Sequence, residues 1–156
     1  MRIDLISVGQ RMPGWVADGF NEFAQRLPRE CALHLVEIPA VKRAGGVNEQ
    51  KAMAMEGARM LAAVPDNALV VALDVNGESF GSVALSGRLD QWLHSGCNVA
   101  LLVGGADGLA PACLTRAGQR WSLSPLTLPH MLVRILVAEQ IYRAWSILKN
   151  HPYHRA

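Results

Sequence analysis

The sequence predicts an α/β fold with a mostly parallel sheet flanked by helices. Three observations carry that prediction. Short apolar runs alternate with longer stretches whose apolar residues recur every three or four positions, the pattern of strands joined by crossover helices. Two of the runs, residues 68–73 and 99–103, are apolar without interruption, as central parallel strands covered on both faces require. Finally, 51% of the 156 residues are hydrophobic, with no repeat, low-complexity tract or linker, which suits one domain over residues 1–156 with a substantial core.

Residues 3–8 read as the first strand, followed by Gly9 and a turn at Met12-Pro13-Gly14. Over 15–27, Trp15, Val16, Phe20, Phe23, Ala24 and Leu27 recur at helical spacing, and Pro28 stops the helix. Residues 33–38 form a second strand ended by Pro39. The basic, glycine-containing loop Lys42-Arg43-Ala44-Gly45-Gly46 fits either a phosphate site or a mobile linker, the linker better. Asn48 is placed to cap a helix reaching Ala63, with Glu49 in its first turn and Met53, Gly57, Met60, Leu61 and Val64 toward the core. Strand 68–73 follows, then an expected turn at Asp74-Val75-Asn76-Gly77, a helix over 82–94, strand 99–103 and a short helix beyond Gly108. A long helix over 131–148, begun by His130, closes the fold; Leu132, Ile135, Leu136, Glu139, Tyr142, Arg143 and Ser146 fall broadly on one side, read as its mostly apolar stripe.

The net charge of +2 hides an asymmetry. From Thr115 onward six Lys and Arg accompany one acid, Glu139, whereas the first 114 residues carry nine basic and twelve acidic side chains. A basic end interleaved with Trp, Tyr and His suits a polyanion, because Lys and Arg contacts to phosphate release counterions; a solvated basic face fits the count equally well. Cys31, Cys97 and Cys113 are odd in number and scattered, and read as reduced packing residues of a cytoplasmic protein. No apolar run reaches the ~20 residues needed to span a bilayer, and Asp4 interrupts the first apolar stretch, so neither a membrane span nor a signal peptide is expected.

The chemistry concentrates after Asn98. The strand end Val103-Gly104-Gly105 should lie beside Leu73-Asp74 if the two strands are neighbours, and glycine there lets a ligand approach the backbone; a helix-starting turn is the plainer reading. Neither Gly-x-Gly-x-x-Gly nor Gly-x-x-x-x-Gly-Lys-Ser/Thr occurs, which disfavours dinucleotide binding and P-loop hydrolysis. In Leu123-Ser124-Pro125-Leu126-Thr127-Leu128-Pro129 the two prolines prevent a helix and leave main-chain groups beside apolar side chains. That composition fits an adenine pocket or a rigid connector. Arg143, set in a mostly apolar stripe, is a candidate anion ligand or the salt-bridge partner of Glu139. His151 and His154 lack accompanying carboxylates or thiolates, so no metal site is expected.

These motifs together resemble one family. Leu73-Asp74, Val103-Gly-Gly-Ala-Asp-Gly-Leu109, Trp121-Ser-Leu-Ser-Pro-Leu-Thr-Leu-Pro-His130, Leu132-Val-Arg134, Glu139-Gln-Ile-Tyr-Arg-Ala-Trp145 and Asn150-His-Pro-Tyr-His-Arg155 are similar to the small SPOUT-class methyltransferases that methylate N3 of a pseudouridine in bacterial 23S ribosomal RNA. The resemblance spans essentially the whole chain and implies an α/β knot with a C-terminal trefoil, a homodimer, and S-adenosyl-L-methionine as methyl donor. It assigns Leu73, Gly104, Leu123, Ser124, Pro125, Leu126, Thr127 and Leu128 to the donor, and His130, Arg143, Tyr153, His154 and Arg155 to substrate handling and catalysis, with the tail reaching toward the partner subunit's donor. Met131 stands where many relatives have proline, at the expected pocket rim. With so modest a charge one chain engages few phosphates, so the expected substrate is presented in the assembled ribosome. A non-catalytic RNA-binding module would share the basic end without needing the 123–129 loop, and a flavodoxin-like nucleotide-binding regulator would share the sheet.

Overall fold

Five parallel strands, β1 (Arg2–Val8), β2 (Ala32–Ile38), β3 (Leu69–Ser79), β4 (Val99–Val103) and β5 (Gln119–Ser122), form one sheet in the order β2-β1-β4-β3-β5. The structure is a computed structural model that describes residues 1–155. Between the strands run α1 (Gly14–Ala24), α2 (Glu49–Ala62), α3 (Ser82–Ser95) and α4 (Pro111–Arg116); α5 (His130–Leu148) and a 3₁₀ turn over Pro152–Arg155 follow β5.

Strand alternation separates two cores. Ile3, Leu5, Val71 and Leu101 point to one face, where Phe20 of α1, Leu85, Leu89 and Trp92 of α3, and Val133, Val137 and Ile141 of α5 cover them. Ile6, Val8, Val70, Ala100 and Leu102 point to the other, under Met60 of α2 and Cys113 of α4. β4 and the first half of β3 are thus covered on both faces, which is why residues 99–103 and 68–73 are apolar throughout. Asn48 caps α2 as expected, its side-chain oxygen accepting from the Lys51 amide at 2.8 Å. No helix among the described residues is long and apolar enough to cross a membrane.

Several expectations are corrected. Residues 74–77 are not a turn: β3 runs on to Ser79, and its pairing with β5 shifts register between Leu73 and Glu78. That bulge absorbs the turn-forming Asp, Asn and Gly within a strand. The side of α5 read as its apolar stripe is largely its outer side. Leu132 and Leu136 are each 39% exposed, whereas Val133, Arg134, Val137, Ala138 and Ile141 are buried; Tyr142 and Ser146 of the expected stripe are also buried. The 42–46 loop is not a free linker, since Arg43 bonds to Glu56 and Asp107. Of the cysteines, Cys31 and Cys113 are buried, and burial pushes the Cys31 thiol up to about 11, but Cys97 is exposed and packs nothing.

Candidate functional site

At the carboxyl ends of β4 and β5, beside the register shift that follows Leu73 in β3, lies a cleft of about 240 Å³. In parallel α/β sheets this edge is where ligands bind, because strand ends and loop backbones meet there without side chains intervening. Leu73 and Asp74 form one wall, Gly104, Gly105, Gly108 and Leu109 a second, and Leu123, Ser124, Leu126, Thr127, Leu128 and His130 the rim. Pro125, assigned with them from the sequence, is not among the lining residues and shapes the loop instead.

Two features of this cleft constrain what it holds. An ideal Cβ on Gly104 would fall 2.3 Å from the carbonyl carbon of Gly108, so the Gly105–Gly108 turn folds directly onto Gly104 and its backbone becomes pocket wall. The lining side chains are mostly apolar, and among the described ones Asp74 alone is formally charged; no Lys or Arg is present. A cleft without cations does not suit a phosphate-bearing nucleotide. It does suit a flat heterocycle joined to a cationic group.

His130 keeps that balance. Burial, then the positive charge of Arg134, push its pKa below the ordinary 6.5, so it is neutral at pH 7. Arg134 is 1% exposed and held on three sides: Nε donates to Ser7 Oγ at 3.1 Å, Nη1 to Glu37 at 2.8 Å, and Nη2 to the Gly9 carbonyl at 2.8 Å. It ties the first turn of α5, and with it the pocket rim, to the ends of β1 and β2.

The other assigned residues gather elsewhere. Arg143 donates to Glu139 through Nε at 2.9 Å and lies 2.7 Å from it through Nη2. The Tyr153 hydroxyl donates to the same carboxylate oxygen at 2.9 Å, and the Arg143 guanidinium stands 5.0 Å from the Tyr153 ring centre. Burial and then the bond to Glu139 raise the Tyr153 pKa, so the phenol stays protonated. His154 and Arg155 follow in the 3₁₀ turn; the His154 Nδ1 is buried with no hydrogen-bond partner among the described residues, and Arg155 is exposed. Of the two readings of Arg143, the salt bridge to Glu139 is the one present, and it forms beside the tail. From His130 to Arg143 is thirteen positions along one helix, or about 20 Å. Within one chain the cleft and the tail cluster do not meet.

A family model described as "Predicted SPOUT methyltransferase" matches residues 1–154. This chain belongs to the SPOUT methyltransferase family. It is 61% identical over 156 residues to the ribosomal RNA large subunit methyltransferase H of Alkalilimnicola ehrlichii, with 100% of both chains covered. It is 59% identical over 155 residues to the protein of the same name from Thioalkalivibrio sulfidiphilus, with 99% of each covered. Among solved structures, a probable methylase family protein from Haemophilus influenzae Rd KW20 shares the fold at a TM-score of 0.54 and 12% identity, over 99% of this chain and 70% of that one.

For this SPOUT methyltransferase, sequence reasoning passed over Gly108 and Trp121 in the cleft wall and Arg134 beneath its rim. Gly108, at φ +84°, was legible as the close of a Gly-x-x-Gly turn. Arg134 stands in the Leu132-Val-Arg134 motif but carried no local sign of burial, because a single arginine on a long helix reads as solvated. It also tempers the expected basic end: Arg134 pairs with Glu37, Arg143 with Glu139, and Arg120 lies 3.9 Å from Asp74. Replacing Arg134 with methionine is expected to destabilise the fold by about 2–3 kcal/mol, because Ser7 and Gly9 lose a buried partner while the half-exposed Glu37 rehydrates. Chemical denaturation measures this. In the same variant the His130 titration, followed by NMR, should move up toward 6.5, since the repelling charge is gone. The sign follows from linkage: with His130 depressed in the folded state, its protonation opposes folding as the pH falls below 6.5, and the variant relieves part of that opposition.

Proposed function

We propose that this SPOUT methyltransferase transfers a methyl group from S-adenosyl-L-methionine to N3 of a pseudouridine in 23S ribosomal RNA within the assembled ribosome, acting in the cytoplasm as a homodimer of single-domain chains. The observation that carries the donor assignment is the cleft itself: Leu73, Gly104 and the 123–128 loop converge on an apolar slot whose charged lining residue is the carboxylate Asp74. The donor is a cation joined to adenosine, so apolar walls, a neutral His130 and a nearby carboxylate complement it, and a Cβ at Gly104 would close the wall against it. Leu73, Gly104 and the backbone of the loop would hold the donor, with Leu128 and His130 at the rim. When bound it supplies an electrophilic methyl on a sulfonium and leaves as a neutral thioether. Large-subunit ribosomal RNA as substrate is supported by the names of relatives identical at 59–61% of positions from end to end.

The chain's own residues then have defined tasks. The imide N3 must lose its proton and lie in line with the methyl, and the developing anion must be stabilised. His154, whose Nδ1 is buried with no hydrogen-bond partner among the described residues, accepts that proton, and Arg143 or Arg155 stabilises the anion. Because Arg143 lies about 20 Å along α5 from the cleft of the same chain, with Tyr153 beside it, the two act on the donor of a second copy. The exposed Leu132 and Leu136 of α5 and the half-exposed Trp15 of α1 give a second copy apolar surface on these helices. We also assign the chain a C-terminal trefoil knot, a reading supported by the family.

The deciding experiment supplies labelled S-adenosyl-L-methionine with bacterial ribosomes lacking the modification, free 23S RNA, and unpseudouridylated ribosomes. Label in the large-subunit RNA of pseudouridylated ribosomes alone is the expected result. Label in none of the three, with donor binding intact, would overturn the substrate assignment.

A further inference from the structure

We propose that Arg43 is a positioning residue for the donor cleft, holding the Gly105–Gly108 turn in place through Asp107 and anchoring it to α2 through Glu56. The inference rests on the donor reading above. It begins with what the turn lacks. Of its four residues, Gly105, Ala106, Asp107 and Gly108, Asp107 alone has a side chain able to form a hydrogen bond. The turn closes on one backbone bond, Gly108 N–H to the Gly105 carbonyl at 3.1 Å, and two glycines leave it little intrinsic stiffness. Yet Gly105 and Gly108 of the turn, with Gly104 just before it, make up a pocket wall. Something outside the turn must fix it.

Arg43 does so with its whole donor set. A guanidinium has five N–H groups. Nε donates to Asp107 at 3.1 Å and Nη2 at 2.9 Å; Nη1 donates to Glu56 at 2.7 Å and to the Val41 carbonyl at 2.6 Å; Nη2 also donates to Glu56 at 3.0 Å. None is left for a phosphate, so this arginine of a basic loop is a strut and not an RNA contact. Its anchor is firm. Glu56 is 3% exposed and also accepts from the Val41 amide at 3.0 Å. Burial alone would raise the Glu56 pKa, but the Arg43 hydrogen bonds and the Val41 amide outweigh it and hold the carboxyl below its usual value. The loop, the second helix and the pocket turn are therefore joined through one side chain.

The test is a double-mutant cycle read on donor affinity. Arg43→Ala, Asp107→Ala and the double variant are titrated with S-adenosyl-L-methionine by calorimetry, with Tm and kcat at saturating donor measured beside them. Each single variant should weaken donor binding about tenfold through lost preorganisation, with kcat within about twofold. The double variant should be no worse than Arg43→Ala, because both changes cut the same link. Arg43→Ala should also lower Tm, leaving Glu56 buried without its cation; Asp107→Ala, at the surface, should leave Tm nearly unchanged and so separates positioning from stability. Donor affinity unchanged in Asp107→Ala, or losses that add in the double variant, would overturn the assignment. A wild-type protein that binds no donor would overturn the donor reading itself, and this inference with it.

Discussion

Gly104→Ala is expected to weaken S-adenosyl-L-methionine binding by about 10- to 100-fold while leaving a folded protein. The added methyl would lie 2.3 Å from the Gly108 carbonyl carbon, 2.4 Å from its oxygen and 2.7 Å from the Leu109 nitrogen. All three are backbone atoms, so no rotamer change relieves the clash, and the turn must move. Gly104 does not sit at positive φ, so the effect comes from contact and not from backbone strain. Overpacking of this kind costs about 1–3 kcal/mol, and if the displaced turn is the donor's wall most of that cost appears in affinity. Two neighbouring glycines provide internal controls. At Gly105 the nearest atom to a new Cβ is a Val8 methyl at 3.0 Å, a side chain with some freedom to adjust. At Gly108 a Cβ meets open space, but φ is +84°, so alanine there costs strain of about 1 kcal/mol without a clash. The expected order of donor affinity loss is Gly104 well ahead of the other two. Calorimetric titration of the three variants, with circular dichroism to confirm folding, measures it; Gly104→Ala binding within threefold of wild type would mean that the turn is not the donor's wall.

The parts legible in the sequence were those governed by local periodicity or by a special backbone residue. β1, β2 and β4 were visible because burial on one or both faces leaves a short apolar run, and the start of α2 because Asn48 has the geometry of a cap. β5 was not visible. Gln119-Arg120-Trp121-Ser122 is short, sits at the sheet edge, and presents a polar sequence that the flanking loop chemistry swamps. The second half of β3 was read as a turn because Asp, Asn and Gly favour turns, and local preference gives way there to pairing with β5 across a register shift. α5 was misread on one side for a related reason. Apolar residues occur all around it, so no stripe is unique, and the choice between Leu132-Leu136 and Val133-Val137 is made by the sheet and by α1 and α3 packed against it. For the site, the 123–129 loop was legible through its prolines and the strand end through its glycines. The separation of the cleft from Arg143 and Tyr153 was not, because it depends on which side of a 19-residue helix each group leaves and on where the chain returns after it.

That separation leads to the second large expected effect, which appears on mixing two impaired chains. Gly104→Ala weakens the cleft's hold on the donor but keeps the tail cluster; Arg143→Ala removes the guanidinium held by Glu139 beside Tyr153 but keeps the cleft. With the donor held near the wild-type Kd, where a 10- to 100-fold affinity loss leaves the Gly104→Ala cleft mostly empty, each homodimer should retain little activity. If tail and cleft of different copies form each site, a heterodimer of the two holds one intact site, made from the cleft of the Arg143→Ala chain and the tail of the Gly104→Ala chain. Random reassortment of a two-fold dimer then restores about one quarter of wild-type activity per chain, against a background near zero. If each chain instead used its own tail on its own cleft, both sites of the heterodimer would be broken and mixing would restore nothing. The geometry favours recovery, because no side-chain rotation covers the roughly 20 Å of helix between His130 and Arg143. The alternative requires the tail to leave α5 and fold back, giving up the Tyr153 bond to Glu139 and the tilted ring contact of Tyr153 with Tyr142. Co-expression of the two variants with different affinity tags, purification through both, and methyl transfer by the isolated heterodimer decides between them. An isolated heterodimer as inactive as its parents would place the tail on its own chain and remove the reason for a homodimer in the chemistry.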